Sequence, residues 1–445
     1  MTILPAEATP LLLALVPAFS QPTFSRFTAL MASALLTTGR RTIANLVRTL
    51  GPLGQGHKSS YQRVFSAASW SALHLACLLA RFVVGQLLPD GPITLVGDDT
   101  VDGHKGKKVY GKARHRDPVR SSHSYTAWRY GHKWVVLGVL VRFPFAVRPW
   151  ASPLLVVLYR NAEQNRQRKR PHRTPAQLMC RLLRLMLLWF PQRTFVFVGD
   201  AGYGSHEVAR FCHRHRHQLT LVSKLHPDAN LHEPPPPYAG KGRPRQKGAK
   251  LPKPCQVAAA AALLPLEVGW YGGGSRRVTH SSGVGGWYKA GAGLVPIRWV
   301  FVRDQSGTHR DEYFFTTDNA LTPASIIEHY TSRWNIETTF QELRDYLGLE
   351  TTRGWCQATV LRLAPCLFGL YTVVAVVYAA LPESKRSGSI AWPGKQAVTF
   401  SDALTAIRRW LWAEGVFPQV ENGTILEKLP ASLREIIFSA LAPAA

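Results

Sequence analysis

Two short apolar runs constrain this chain more than any other feature. ITLVGDD, beginning at Ile93, and TFVFVGD, beginning at Thr194, carry no charged residue until each ends on a carboxylate. Runs of this length without alternation are strands buried on both faces, which requires helices on both sides of a sheet. Between them, WVVLGVLVRF and PLLVVLYR read as strands, and residues 161 to 173 form a polar, Arg-rich connection. Thr174-Pro175 then starts the amphipathic helix AQLMCRLLRLMLLWF. After the second run, Gly202 and Gly204 turn the chain into the helix HEVARFCHRHR, and QLTLVSK is a further strand. The order strand, strand, strand, helix, strand, helix, strand predicts an α/β fold, a mixed sheet with flanking helices. Asp99 and Asp200 then lie at strand C-terminal ends, where open α/β sheets place their sites. Asp98 and Asp99 alternate across their strand, so only one of them need face such a site.

A third acid comes from IIEHYTSRWNIETTFQELRDYLGLE, residues 326 to 350. This stretch predicts one helix of about 22 residues, capped by Thr322 with Pro323 in its first turn. On a helical wheel, Tyr330, Arg333, Glu337 and Arg344 fall within roughly 60° of one another. An apolar stripe of Ile336, Phe340, Leu343 and Leu347 runs beside them. Glu342 lies roughly 140° round from Glu337, and Asp345 roughly 80°, so Glu337 alone shares the cationic stripe. Two strand-end aspartates and one helix glutamate form a set of hard oxygen donors suited to Mg²⁺ or Mn²⁺.

Charge points to the partner. Lys and Arg total 54 against 27 Asp and Glu, a formal net charge of +27 over 445 residues, which favours a polyanion, most simply nucleic acid. The stretch VDGHKGKKVYGKARHRDPVRSSHSYTAWRYGHK reads as a basic loop with interleaved aromatics, and Lys107, Lys108 and His132 are its candidate phosphate contacts. The six cysteines are scattered without a CxxC pair, which argues against a zinc ribbon or a disulfide framework and fits a reducing cytosol. His213, His215 and His217 beside Cys212 are interleaved with arginines and read as a basic helix end. The N-terminus lacks the basic region of a signal peptide. Leu363 to Pro382 has the length of a membrane span, but with Pro365 and Gly369 inside it reads as a buried core helix, and no membrane partner is expected.

The chain divides by composition. Residues 1–90 read as an N-terminal helical, DNA-binding domain with basic edges at Arg40, Arg41, Arg48, His57, Lys58 and Arg63. Residues 91–225 form the first part of the sheet core. Residues 226–318 open with a Pro-, Gly- and Lys/Arg-rich linker and continue as a β-rich insertion ending in a hairpin around QSGTHR. Residues 319–382 carry the acid-bearing helix, and residues 383–445 are helical again.

Tyr330-x-x-Arg333-x-x-x-Glu337-x6-Arg344 resembles the Tyr-Arg-Glu-Lys signature of DDE transposases from bacterial insertion sequences. The resemblance is to the IS-four superfamily, including its IS-seven-hundred-and-one-like branch. Asp99-Thr100 is similar to that family's first acid, Asp200 before Gly-Tyr to the second and Glu337 to the third. GHKWVVLGVLV, RWVFVRD and YLGLETTRGW also look like this branch, and the match spans roughly residues 90 to 375. Arg344 departs from the signature's Lys, keeping charge while replacing a point contact by a bidentate one. The resemblance implies an RNase H-like fold and an N-terminal helical domain, with a β insertion before the catalytic helix. It implies that Asp99, Asp200 and Glu337 bind two Mg²⁺ ions, with Mn²⁺ able to substitute. It further implies nicking of double-stranded DNA at terminal inverted repeats, and attack by the freed 3′-OH on the opposite strand or on target DNA. Tyr330, Arg333 and Arg344 would hold phosphates, and Trp287 or Trp270 would stack a flipped base. A homodimeric synaptic complex in a bacterial, nucleoid-associated cytoplasm is implied as well. The alternatives are a metal-dependent nuclease on the same fold without strand transfer, and a domesticated DNA-binding derivative.

Overall fold

The computed structural model describes residues 4 to 443 apart from residues 5, 118, 119, 123, 239, 241, 390 to 392, 396 and 420 to 427. Five helices come first: α1 (Thr9–Leu15), α2 (Gln21–Leu36), α3 (Ile43–Leu50), α4 (Lys58–Ser66) and α5 (Ala72–Leu87). The central strands are β1 (Ile93–Gly103), β2 (Ala113–Arg116), β3 (Trp128–Val141) and β4 (Trp150–Tyr159). Next come α6 (Ala162–Gln167), α7 (Pro175–Trp189), β5 (Phe195–Gly199), α8 (His206–Arg214) and β6 (Leu219–Lys224). The β-rich part holds β7 (Leu231–His232), α9 (Pro254–Ala260), β8 (Leu264–Gly269), β9 (Ser275–Lys289), β10 (Gly293–Asp304) and β11 (Glu312–Thr316). The chain closes with α10 (Pro323–Ser332), α11 (Asn335–Asp345), α12 (Gln357–Ala380), α13 (Phe400–Trp410) and α14 (Ala431–Leu441).

The core order is β4, β3, β1, β5, β6. β4, β3 and β1 are antiparallel; β1, β5 and β6 are parallel. This is the RNase H-like arrangement, and the fully buried run of β5 reflects its place between two parallel neighbours with helices on both faces. The β-rich part does not stand apart. β11 pairs antiparallel with β6, and β10 and β9 continue outwards, so one sheet of eleven strands runs through both regions. The expected basic loop is shorter than its sequence suggested, because β1 runs on to Gly103 and pairs with β3 from Gly131.

Helices cover the two faces unequally. A Cβ at Gly97 would meet Met179 of α7, so odd positions of β1 face that helix. Even positions face α11, which packs against β1 and β4. α12 lies on β4, with Thr372 Oγ1 donating to the Pro153 carbonyl at 2.8 Å. α12 is the one described helix long and apolar enough to cross a membrane, yet most of its apolar stretch is buried inside the protein. Phe368, Tyr371 and Val374 are completely enclosed, each burial stabilising the fold by ~1.5–3 kcal/mol. The N-terminal helices share this core: α4 and α5 pack on α12, and Arg362 Nη2 donates to the Trp70 carbonyl at 2.9 Å. Arg41, one of the expected basic edge residues, is buried and donates to the carbonyls of Gly39 and Tyr346.

Candidate active site

The expected single helix is two. α10 ends at Ser332 and α11 starts at Asn335, although Arg333 and Trp334 keep right-handed helical angles. Across the joint the backbone tightens to three-residue hydrogen bonds, Arg333 N–H to Tyr330 and Ile336 N–H to Arg333. The helix also stops at Asp345, short of Glu350, and Gly348 at φ 64° carries the turn beyond it. The tightening turns Arg333 inward, where it is only 6% exposed. Its Nη1 lies 2.9 Å from Asp98 Oδ2 and its Nη2 lies 2.7 Å from Glu337 Oε1.

Strand parity separates the two aspartates. In the parallel β1–β5 pair, Gly97 is level with Gly199; Asp200 follows directly on the end of β5, whereas Asp98 and Asp99 lie in the middle of β1, which runs on to Gly103 rather than ending at Asp99 as expected. Asp98 shares its face with Thr100 and with α11. Asp99 points to the opposite face, where Lys133 Nζ lies 2.8 Å from its Oδ1. Asp200 is fixed by its own turn, its Oδ1 accepting N–H groups from Gly202 at 2.9 Å and Tyr203 at 3.3 Å. Burial raises the Asp98 carboxyl well above its ordinary value; Arg333 pulls it down, while Asp200 and Asp99 push it further up. Burial raises Asp99 too, against the opposing Lys133 ammonium. Arg333 therefore links Asp98 to the sequence-predicted Glu337, while the Asp200 charge acts on both Asp98 and Asp99, which face opposite sides of β1.

The predicted cations divide in the same way. Arg344 Nη2 donates to Thr100 Oγ1 on the Asp98 face, and its Nε lies 3.6 Å from Glu350. Glu350 also takes two bonds from Arg129 Nη2, at 2.6 and 2.7 Å. Tyr330 is buried and stacked on Phe314 with ring centroids 4.2 Å apart, so it packs the helix onto the sheet rather than reaching solvent. Lys107 and Lys108 are exposed. His132 is not available to a phosphate: it is 1% exposed, and its Nε2–H donates to the Tyr110 carbonyl at 2.8 Å. Trp287 is half-buried and wedged edge-on between His206 and Phe315, which holds it in the packing of β9. Trp270 lies edge-on to Tyr271 and His309. Glu342 accepts from Arg148 at 2.9 Å and from the Tyr371 hydroxyl at 2.7 Å, a structural role away from Glu337. In the run 213 to 217, His215 Nδ1 bonds the Phe211 carbonyl at 2.9 Å, as a helix-end residue does.

The sequence reading missed one cluster. Asp102, His104 and His132 bring their ligand atoms within 4.8 Å of one another near the end of β1. Burial opposes it, yet the His104 and His132 side chains beside it hold the Asp102 carboxyl well below the usual carboxylate range. The available signal was parity: Asp98, Thr100 and Asp102 share one face, and β3 sets His132 opposite Asp102. At the crossing, a Cβ on Gly131 would come within 1.6 Å of the Asp102 carbonyl oxygen, so only glycine permits this approach.

Known proteins resemble the chain in two overlapping spans. A family described as DDE superfamily endonuclease matches residues 14–277, more than half of the chain, including both aspartate sites. An archaeal ISC1217-like transposase family matches residues 274–367, the span containing Arg333, Glu337 and Arg344. No curated protein matches. Among solved structures, the chain is similar to a piggyBac transposase in a cryo-EM synaptic complex with hairpin DNA. That likeness has 11% identity and a TM-score of 0.44, over 95% of this chain and 77% of that one.

Proposed function

We propose that this chain, which belongs to the DDE superfamily endonucleases, is a transposase. It cuts double-stranded DNA at the ends of an insertion sequence and joins those ends to target DNA. The observation that carries the reading is the convergence of Asp98, Asp200 and Glu337. The reading is supported by the register of β1 and β5, which sets Gly97 level with Gly199 just before Asp98 and Asp200, and by Arg333, which contacts both Asp98 and Glu337. Carboxylates of this kind, two of them linked through one guanidinium and the third close enough for its charge to act on Asp98, are oxygen donors suited to a hard divalent cation. In this reading Asp98, rather than Asp99, is the first acid. Held by these residues, two Mg²⁺ or Mn²⁺ ions would supply the activated water and the stabilised leaving oxygen of in-line phosphoryl transfer.

The remaining roles belong to the protein. Arg333 neutralises Asp98 and Glu337 in the metal-free chain and is placed to take a phosphate oxygen beside them. Arg344, hydrogen-bonded to Thr100, offers a second guanidinium along the same face. Lys133, with a quarter of its side chain exposed, keeps the Asp99 charge compensated. Exposed Lys107 and Lys108, with the excess of 54 basic over 27 acidic residues, supply a DNA-binding surface. The affinity for the IS-four superfamily, a homodimeric synaptic complex and a bacterial cytoplasm remain part of the same proposal.

The test is cleavage and joining with DNA that carries the inverted repeats flanking the coding sequence. We expect Mg²⁺-dependent nicking at the repeat ends and transfer of the 3′ ends into a target plasmid. Asp98→Ala, Asp200→Ala and Glu337→Ala should each abolish both steps while end binding persists. Nicking without joining would replace the transposase reading by a nuclease one. Undiminished nicking by Glu337→Ala would sink the site itself.

A further inference from the structure

We infer that Asp102, His104 and His132 form a second metal site, specific for a transition metal of the zinc type and separate from the carboxylate centre. Imidazole nitrogens and one carboxylate suit Zn²⁺, Co²⁺ or Ni²⁺, whereas Mg²⁺ takes oxygen donors. The inference does not rest on the transposase reading.

The geometry is close to a tetrahedral edge. With metal–ligand bonds of about 2.1 Å, neighbouring donor atoms of a tetrahedral site lie about 3.4 Å apart. His104 Nε2 lies 3.4 Å from Asp102 Oδ2, and His132 Nδ1 lies 3.4 Å from Asp102 Oδ1. All three donors fall within 4.8 Å of one another. His104 sits at the solvent edge with 8% of its side chain exposed, so water can complete the coordination.

The tautomer of His132 carries the argument further. Its Nε2 is 2.8 Å from the Tyr110 carbonyl oxygen, which can only accept, so Nε2 bears the hydrogen. Nδ1 of the neutral ring is then a lone pair 3.4 Å from a carboxylate oxygen. That opposition is unfavourable in a buried site unless a cation, or a second proton, lies between the two. Metal-bound histidines commonly have this arrangement, with the far ring nitrogen donating to a carbonyl. The carboxylate is oriented as well: Asp102 Oδ1 accepts the His132 backbone N–H at 2.9 Å, and Oδ2 accepts Trp134 Nε1–H at 3.0 Å.

The position suggests what such an ion does. His104 leaves β1 and His132 enters β3, so the ion would tie the two roots of the basic excursion that carries Lys105, Lys107 and Lys108. Tyr110, within that excursion, is joined to His132 through its carbonyl. The site would fix the exposed lysines relative to the sheet.

The experiment uses the full chain, stripped with EDTA and titrated with Zn²⁺ and Co²⁺ in excess Mg²⁺. Stoichiometric binding is expected, with a Co²⁺ visible spectrum typical of nitrogen and oxygen ligands and lacking thiolate charge transfer. Outer-shell changes cost about 10–100-fold in metal affinity, so loss of a ligand in His104→Ala should cost about 100-fold or more. His104→Gln provides the second variant if alanine disturbs folding. Affinity should be unchanged in Asp98→Ala/Glu337→Ala, which separates this site from the proposed centre. Zn²⁺ should also slow tryptic cleavage after Lys105, Lys107 and Lys108. Absence of stoichiometric binding, a thiolate spectrum, or full affinity in both His104 variants would overturn the assignment.

Discussion

Replacing each of the adjacent aspartates by asparagine separates their roles. Asparagine keeps shape and removes charge, so the comparison tests which carboxylate serves the reacting phosphate. Asp98 is level with Asp200 and bridged through Arg333 to Glu337. A unit charge lost about 4 Å from the reacting centre, at an effective dielectric near 20, removes ~4 kcal/mol of interaction. At ~1.4 kcal/mol per tenfold, Asp98→Asn should lower Mg²⁺-dependent nicking by about 10³-fold. Asp99 faces α7, and its charge is already compensated by Lys133 at 2.8 Å. It can act only by supporting its neighbours, so Asp99→Asn should cost about 10–100-fold at most. The assay is single-turnover nicking of an end-bearing duplex, with circular dichroism and end binding as controls for folding. If folded Asp99→Asn loses as much as Asp98→Asn or more, the parity argument is wrong and the first acid is Asp99.

Other outcomes follow from the same structure. Burial and the neighbouring Asp200 and Asp99 charges raise Asp98 from 3.8 to about 8. A raised carboxyl contributes stability that is complete below the unfolded value and lost as pH rises through the folded one. Urea unfolding of the metal-free protein should therefore show stability falling towards pH 8, less steeply in Asp98→Asn; equal slopes in both would count against it. Glu342→Gln should leave nicking intact but weaken the pairing with Arg148 and Tyr371, lowering stability by ~1–3 kcal/mol in a thermal melt. An inactive, fully stable Glu342→Gln would place Glu342 in the site. DNA affinity should drop steeply between low and physiological salt, as a net charge of +27 requires, and a flat salt response would exclude phosphate-driven binding.

The pairing of Glu337 with Arg333, with Glu342 turned elsewhere, was legible from helical spacing, because three- and four-residue neighbours depend only on local geometry. The order of core strands and helices along the chain was legible from buried-type runs and their lengths. The helix break was not. No Pro or Gly marks Arg333 and Trp334, and both retain helical angles, so the signal is one of tightened hydrogen bonding against a tertiary contact with Asp98. The parity of Asp98 and Asp99 was equally hidden, since it depends on pairing with β5, about 100 residues away. His132 read as basic because it lies in a basic segment; its burial follows from facing Asp102 across the β1–β3 pair. The extension of the core sheet by β11 needed a pairing partner that no local pattern names.

The break and the parity belong to one arrangement. A continuous helix through residue 333 would carry its side chain along the same stripe as Arg344, which engages Thr100 further along β1. Tightening by three-residue bonds at the joint instead lets one guanidinium reach Asp98 on β1 and a carboxylate four residues ahead on α11. Asp98 is largely buried, and a buried carboxylate left unpaired costs several kcal/mol, so this cation supports the fold around it. Removing Arg333 should for that reason destabilise the metal-free chain more than the loaded one, because bound divalent ions neutralise the same carboxylates. Arg333→Ala should then show a larger gain in thermal stability on adding Mn²⁺ than the unaltered protein. An equal gain in both would mean that the guanidinium and the ions do not serve the same charges.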